Sequence, residues 1–201
     1  MRTLLLIAAL VPAPALADCK DEIKDIMDRS SLAGPYRTEA TVKSETRSGV
    51  VTSDIVPPDG LRTRSEIGGK TRELVKIGGQ VWANEGAGWK ELPPAMAARI
   101  AQVTDSARTL APNRVGDAQC PGTQSVEGKS YTVYTYKMDA PGGKVSSTNT
   151  LYVDPASRLP ARIVAETRSG TSKTSTDIRY VYDATIKLEP PAIEGSAKPK
   201  P

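Results

Sequence analysis

A mainly β protein (α+β), with a curved antiparallel sheet of about eleven strands and two or three helices, is the fold class this sequence predicts. Three observations carry it. From Tyr36 onward, short runs of β-branched and polar residues are cut at brief intervals by Gly, Pro, Asn and Asp turns, which is the all-β pattern. Two stretches, 18–31 and 95–110, instead space their apolar residues as helices do. The connections between strands are too short for crossovers, so neighbours pair as an antiparallel meander.

The elements follow in order. Residues 1–17 read as a cleavable signal peptide, with Arg2, an apolar run from Leu4 to Val11, and Ala15-Leu16-Ala17 before the cut. The run is too short to span a bilayer, so a periplasmic protein with no integral membrane segment in its mature chain is expected. Asp18 to Ser31 forms a helix, Ile23, Ile26 and Met27 on one face, acids in its first turn and Gly34-Pro35 as its stop. Six strands come next, near 36–46, 50–56, 61–67, 71–77, 80–83 and 89–92. Their turns are Ser48-Gly49, Pro57 to Gly60, Gly68-Gly69, Gly78-Gly79 and Asn84 to Gly88. A middle helix over 95–110 carries Met96, Ile100, Val103, Ala107 and Leu110 as a stripe, with Pro94 in its first turn and Ala111-Pro112-Asn113 closing it. Five strands complete the sheet, about 117–124, 130–138, 144–153, 160–168 and 173–183. Turns at Glu127-Gly128, Ala140 to Gly143, Asp154 to Ser157 and Ser169-Gly170 separate them. A single domain over 18–191 and a disordered tail over 192–201 are expected. The pentapeptide Glu-Thr-Arg-Ser-Gly occurs at 45–49 and at 166–170, each copy expected to close a strand and open a turn.

Composition narrows the function. The 201 residues include no His and no Phe, with two Trp and seven Tyr. Without His, the Ser-His and Cys-His nucleophile pairs and imidazole metal ligands are absent. No phosphate-loop, Gly-x-Ser-x-Gly or metal-clustering motif occurs. The net charge of +4 is spread along the chain, which points away from nucleic acid. Glu39, Glu45, Glu66, Glu73 and Glu166 alternate with Lys and Arg, the pattern of cross-strand ion pairs on a wet face rather than of paired catalytic carboxylates. A protein that is not an enzyme and uses no cofactor or metal is the expectation. Cys19 and Cys120, 101 residues apart, form an even pair in an oxidising compartment and are read as a structural disulfide.

Strand parity indicates where a ligand would sit. Tyr131, Val133 and Thr135 point one way and Thr132, Tyr134, Tyr136 and Met138 the other, so both faces hold apolar or amphipathic groups, as a sheet bent around a hollow requires. Ile178, Tyr180 and Tyr182 form one row and Asp177, Arg179, Val181 and Asp183 the other, with the charged row outward. Trp82 and Trp89 flank the turn at Gly86-Ala87-Gly88, either as a small core of their own or as a hydrophobic rim.

The order of elements resembles the LolA/LolB lipoprotein-carrier superfamily of the bacterial envelope. The resemblance rests on Leu61 to Glu66, Gly68-Gly69-Lys70 and Glu73 to Trp82 as successive hairpins. It extends to Gly88-Trp89-Lys90-Glu91-Leu92-Pro93 leading into the middle helix, Leu151 to Asp154 with Leu159 to Ile163 as the late hairpin, and Ile178 to Asp183 as the closing strand. It implies an incomplete barrel covered by helices, whose hollow receives acyl chains. A monomeric periplasmic carrier or chaperone is then expected, its partner a lipid or acylated lipoprotein and its ligand-binding residues Trp82, Trp89, Tyr134, Tyr136, Met96 and Ile100. An envelope protein-interaction or scaffold module without lipid cargo, using the sheet edges and the Trp82/Trp89 hairpin, is the alternative. Arg37 and Arg47 lie in the early-strand region where the carriers have a functional arginine.

Overall fold

The computed structural model describes residues 19–108, 114–140 and 143–193. The leader, Leu110 with its closing residues 111–113, turn residues 141–142 and the tail from 194 lie outside the described residues, as does the side chain of Ala107. Helix α1 spans Cys19–Leu32; strands β1 to β6 span Tyr36–Ser44, Ser48–Val56, Gly60–Ile67, Lys70–Ile77, Gln80–Asn84 and Lys90–Glu91. Helix α2 (Pro94–Arg108) precedes β7 to β11, at Val115–Val126, Lys129–Asp139, Val145–Val153, Pro160–Ser169 and Ser172–Tyr182.

All eleven strands belong to one antiparallel sheet, ordered β6-β5-β4-β3-β2-β1-β11-β10-β9-β8-β7. Two meanders therefore meet at a central seam, where Tyr36 pairs with Tyr182 and Ser44 with Thr174. β6 and β7 are the two edges, and the sheet is not closed into a barrel. The segment holding α2 must carry the chain from one edge to the other. Laid flat, eleven strands at about 4.8 Å spacing would put the edges about 48 Å apart. The helix itself supplies about 22 Å of that at 1.5 Å per residue, and the remaining residues of the link would have to be nearly fully extended to make up the rest.

Register sorts the side chains by face. On the inner face, Tyr182, Tyr36, Ile55, Leu61, Lys76 and Val81 make one row across β11 and β1 to β5. The outer face carries the ion pairs expected of the charged rows: Arg37 Nε donates to Asp54 at 2.7 Å, and Arg162 grips Asp177 through two bonds of 2.8 and 2.7 Å.

Helix α1 lies over the later meander. Ile23 and Ile26, at 0% and 3% exposure, join Val115, Tyr134, Tyr136, Leu151, Val153 and Ile163 in the main core. Its N-terminus is tied to β7 by the Cys19–Cys120 disulfide, with Cα atoms 5.7 Å apart, as the cysteine count predicts.

Three expectations need correction. The first hairpin turns at residues 45–47, not at Ser48-Gly49. There Ser44 Oγ accepts from Arg47 N at 3.1 Å, and β2 already starts at Ser48. Gly49 sits inside β2, where a Cβ would stand 2.1 Å from the carbonyl oxygen of Glu66, so close backbone approach explains the glycine. Only the second pentapeptide closes a strand: Glu166 to Ser169 end β10, and Gly170 turns with φ +59°. The two copies thus do different jobs, as convergence rather than duplication would have it. On α2, Met96 and Val103 are 52% and 69% exposed, whereas Ala97 is 4% exposed. The buried face is rotated off the predicted stripe, and a hollow lined by Met96 and Ile100 lies between the helix and the sheet.

Candidate functional site

The sheet's inner face is covered unequally. Over β7 to β10 the large side chains of α1 fill the space. The helix then stops at Leu32, before Gly34 with φ +93° and Pro35, so it does not extend over β2 and β3. There a cavity of about 810 Å³ opens. Met27 and Leu32 of α1, Ile55, Leu61, Ile178 and the rings of Tyr36 and Tyr180 bound it, and Thr104 of α2 also lines it. A second hollow of about 560 Å³ lies between β3 to β5 and α2, lined by Leu74, Ala83, Leu92, Met96 and Ile100 among others. Thr63 borders both. Together they make a trough along the half of the sheet that α1 leaves uncovered, each part within the 300–1,000 Å³ usual for small-molecule sites.

The two parts differ in charge. Among the described residues, no Asp, Glu, Lys or Arg lines the larger cavity. The smaller is bordered by Arg72, Glu73, Glu85 and Lys90, with Arg72 Nε 3.6 Å from Glu85 and Arg62 3.5 Å from Glu73. Lys76, 2% exposed in the inner row, donates from Nζ to the Asp59 carbonyl at 3.3 Å.

Four phenols of the inner face are held protonated. Burial raises Tyr136 to about 12. Burial, helped by the bond its hydroxyl donates to Glu22 at 2.9 Å, raises Tyr134 to about 12. Tyr182 is likewise raised to about 12 by burial, although Ser30 Oγ, 3.0 Å from its hydroxyl, works the other way. Tyr180 is pushed up further, by burial first and then by Tyr36, Tyr136 and Tyr182 around it. Near neutral pH such groups offer neutral hydroxyls as hydrogen-bond donors and acceptors.

The residues singled out from the sequence separate into three places. Met96 and Ile100 line the smaller hollow. Tyr136 is a core residue at 3% exposure, and Tyr134 ties the sheet to α1 through Glu22 beside a small polar recess of about 130 Å³. Trp82 is 4% exposed and pairs with Glu91. Its neighbours in sequence, Val81 and Ala83, hold the inner face, so Trp82 is on the outer one, and neither Trp82 nor Trp89 lines the trough. Arg37 is engaged with Asp54 on the outer face, and Arg47 borders a surface recess that shares Ser65 and Arg72 with the smaller hollow. Sequence reasoning passed over Thr38, Ser53 and Thr63, which line the larger cavity. Their parity, shared with Tyr36, Ile55 and Leu61, is the signal that marks them as inward.

No protein-family model matches the chain, and no curated protein does. Solved structures do. Lipoprotein LppX of Mycobacterium tuberculosis overlays with a TM-score of 0.54 at 17% identity, over 81% of this chain and 93% of its own. LprF of Mycobacterium bovis overlays at 0.53 and 14% identity, over 86% and 98%. This chain has the fold of LppX and LprF, LolA/LolB-like as the sequence resemblance implied. A Vibrio parahaemolyticus domain of the outer membrane lipoprotein-sorting kind also matches, with a TM-score of 0.36 at 12% identity, over 84% and 93%. Among the described residues, no helix of this fold is long and apolar enough to cross a membrane.

Proposed function

We propose that the protein is an exported, non-catalytic binding protein that holds the acyl part of a lipid or acylated lipoprotein in the trough and carries or presents it in the periplasm, after loss of the 1–17 leader. The observation that carries this reading is the pair of hollows sharing Thr63, the larger lined mainly by aliphatic and aromatic side chains and the smaller by aliphatic ones with charged residues at its border. Each methylene buried there contributes about 0.8 kcal/mol, so an acyl chain would be retained with no catalytic group. The fold shared with LppX and LprF supports it. The alternative, a protein-interaction module built on the Trp82/Trp89 hairpin, draws little support from a Trp82 that is 4% exposed.

The test uses delipidated protein and cis-parinaric acid, a fluorescent acyl probe. Saturable binding is expected, displaced by unlabelled lipid and weakened about tenfold or more when Leu61→Trp and Ile100→Trp fill the two hollows. A folded protein that neither binds the probe nor co-purifies with lipid would refute the carrier reading.

A further inference from the structure

The floor of the larger cavity is not uniformly greasy. Tyr180 of β11 pairs with Thr38 of β1, Thr38 with Ser53 of β2, and Ser53 with Thr63 of β3. Four hydroxyl side chains therefore stand in one row across four adjacent strands, and all four line the cavity. At about 4.8 Å per strand the row is about 14 Å long. The adjoining row, Tyr36, Ile55 and Leu61, is mainly apolar, so the hydroxyls form a stripe. Ser53 Oγ and Thr63 Oγ1 are 3.2 Å apart and satisfy one another in part. Thr38 and Tyr180 make no side-chain hydrogen bond among the described residues.

Each hydroxyl offers one donor and two acceptor positions. A plain hydrocarbon laid on the row would strip water from these groups and return nothing, at about 1–3 kcal/mol for each one left unsatisfied. Among the described residues no charged side chain lines this cavity, so a free carboxylate would meet donors there but no cation. Uncharged ligand oxygens along the chain, as in an ester or a hydroxyl, satisfy the row without burying a charge. We infer that the Tyr180-Thr38-Ser53-Thr63 row selects a neutral, oxygen-bearing lipid, of the diacylglycerol-ester class, over both bare hydrocarbon and free fatty acid. The inference rests on the trough being a lipid site and names which lipid it prefers.

Native mass spectrometry of delipidated full-length mature protein, with dioleoylglycerol, oleic acid and squalene in competition, tests it. Dioleoylglycerol is expected to be retained about tenfold or more over either competitor. The near-isosteric variants Thr38→Val, Thr63→Val and Tyr180→Phe, combined, should bring that preference to within about threefold while squalene binding persists; a retained near-ultraviolet circular dichroism spectrum would certify the fold. Wild-type protein that takes all three lipids alike, or a variant with undiminished preference, overturns the selective row and leaves the carrier reading intact. If cis-parinaric acid and all three lipids fail to bind folded protein, both fall.

Discussion

Leu151 shows what a single residue contributes here. It is fully buried, paired with Tyr134 and Ile163 across the neighbouring strands and enclosed with Ile23 and Ile26 of α1. Leu151→Ala should leave a cavity and lower the unfolding free energy by about 2–5 kcal/mol, measurable by urea denaturation. On the outer face Asp177 is the residue to follow. The bond from Arg162 holds its carboxyl below the ordinary range, with Arg162, Arg179 and Lys43 adding charge attraction. A carboxyl depressed in the folded state stabilises above its unfolded pKa and loses that contribution as pH falls through the lower folded value. Thermal midpoints should therefore vary little on this account above about pH 5 and fall below about pH 4, and Asp177→Asn should make the acid limb shallower. An equally steep fall in the variant would assign the acid sensitivity elsewhere, for instance to Asp154 or Asp183, which are also depressed by local hydrogen bonds.

Among the elements, α1 depends most on a covalent tie. Its 14 residues carry few apolar groups, and Cys19 at its first position is bonded to Cys120 of β7. Replacing both cysteines with serine should cost about 2–4 kcal/mol, and amide exchange should quicken in α1 before it does in β9 and β10. Equal protection in α1 with and without the bond would show that Ile23 and Ile26 suffice to hold it. The elements were also the most legible scale in the sequence. Gly68-Gly69 and Glu127-Gly128, with φ above zero at all four residues, mark their hairpins because few other residue pairs adopt that turn. The first hairpin and the buried side of α2 were not legible. Ser48-Gly49 has turn chemistry, but the glycine serves a close backbone approach that only the paired strand reveals. Met96 and Val103 repeat at helical spacing, yet what lies beneath α2 is a hollow, which periodicity alone does not report.

For the molecule as a whole, alternation was enough to predict a curved sheet with apolar groups on both faces, and Val133 and Tyr134, at 1% and 7% exposure, occupy opposite ones. The trough was less visible. Thr38, Ser53 and Thr63 are 10 or more residues apart in sequence, and only the register of three strand pairs sets them beside Tyr180. Nor does any local signal announce that β1 and β11 are neighbours. That seam governs how the protein must be made. Its first strand waits, half-paired, for its last, so the centre of the sheet cannot assemble until nearly the whole polypeptide has been delivered. A chain ended after Ser169, lacking β11, should show no cooperative melting by circular dichroism, whereas cooperative melting would mean that either meander can stand alone. On the export proposed above, the same arrangement would keep a chain that has not yet delivered β11 from maturing: the last strand to emerge is the one that completes the centre of the sheet.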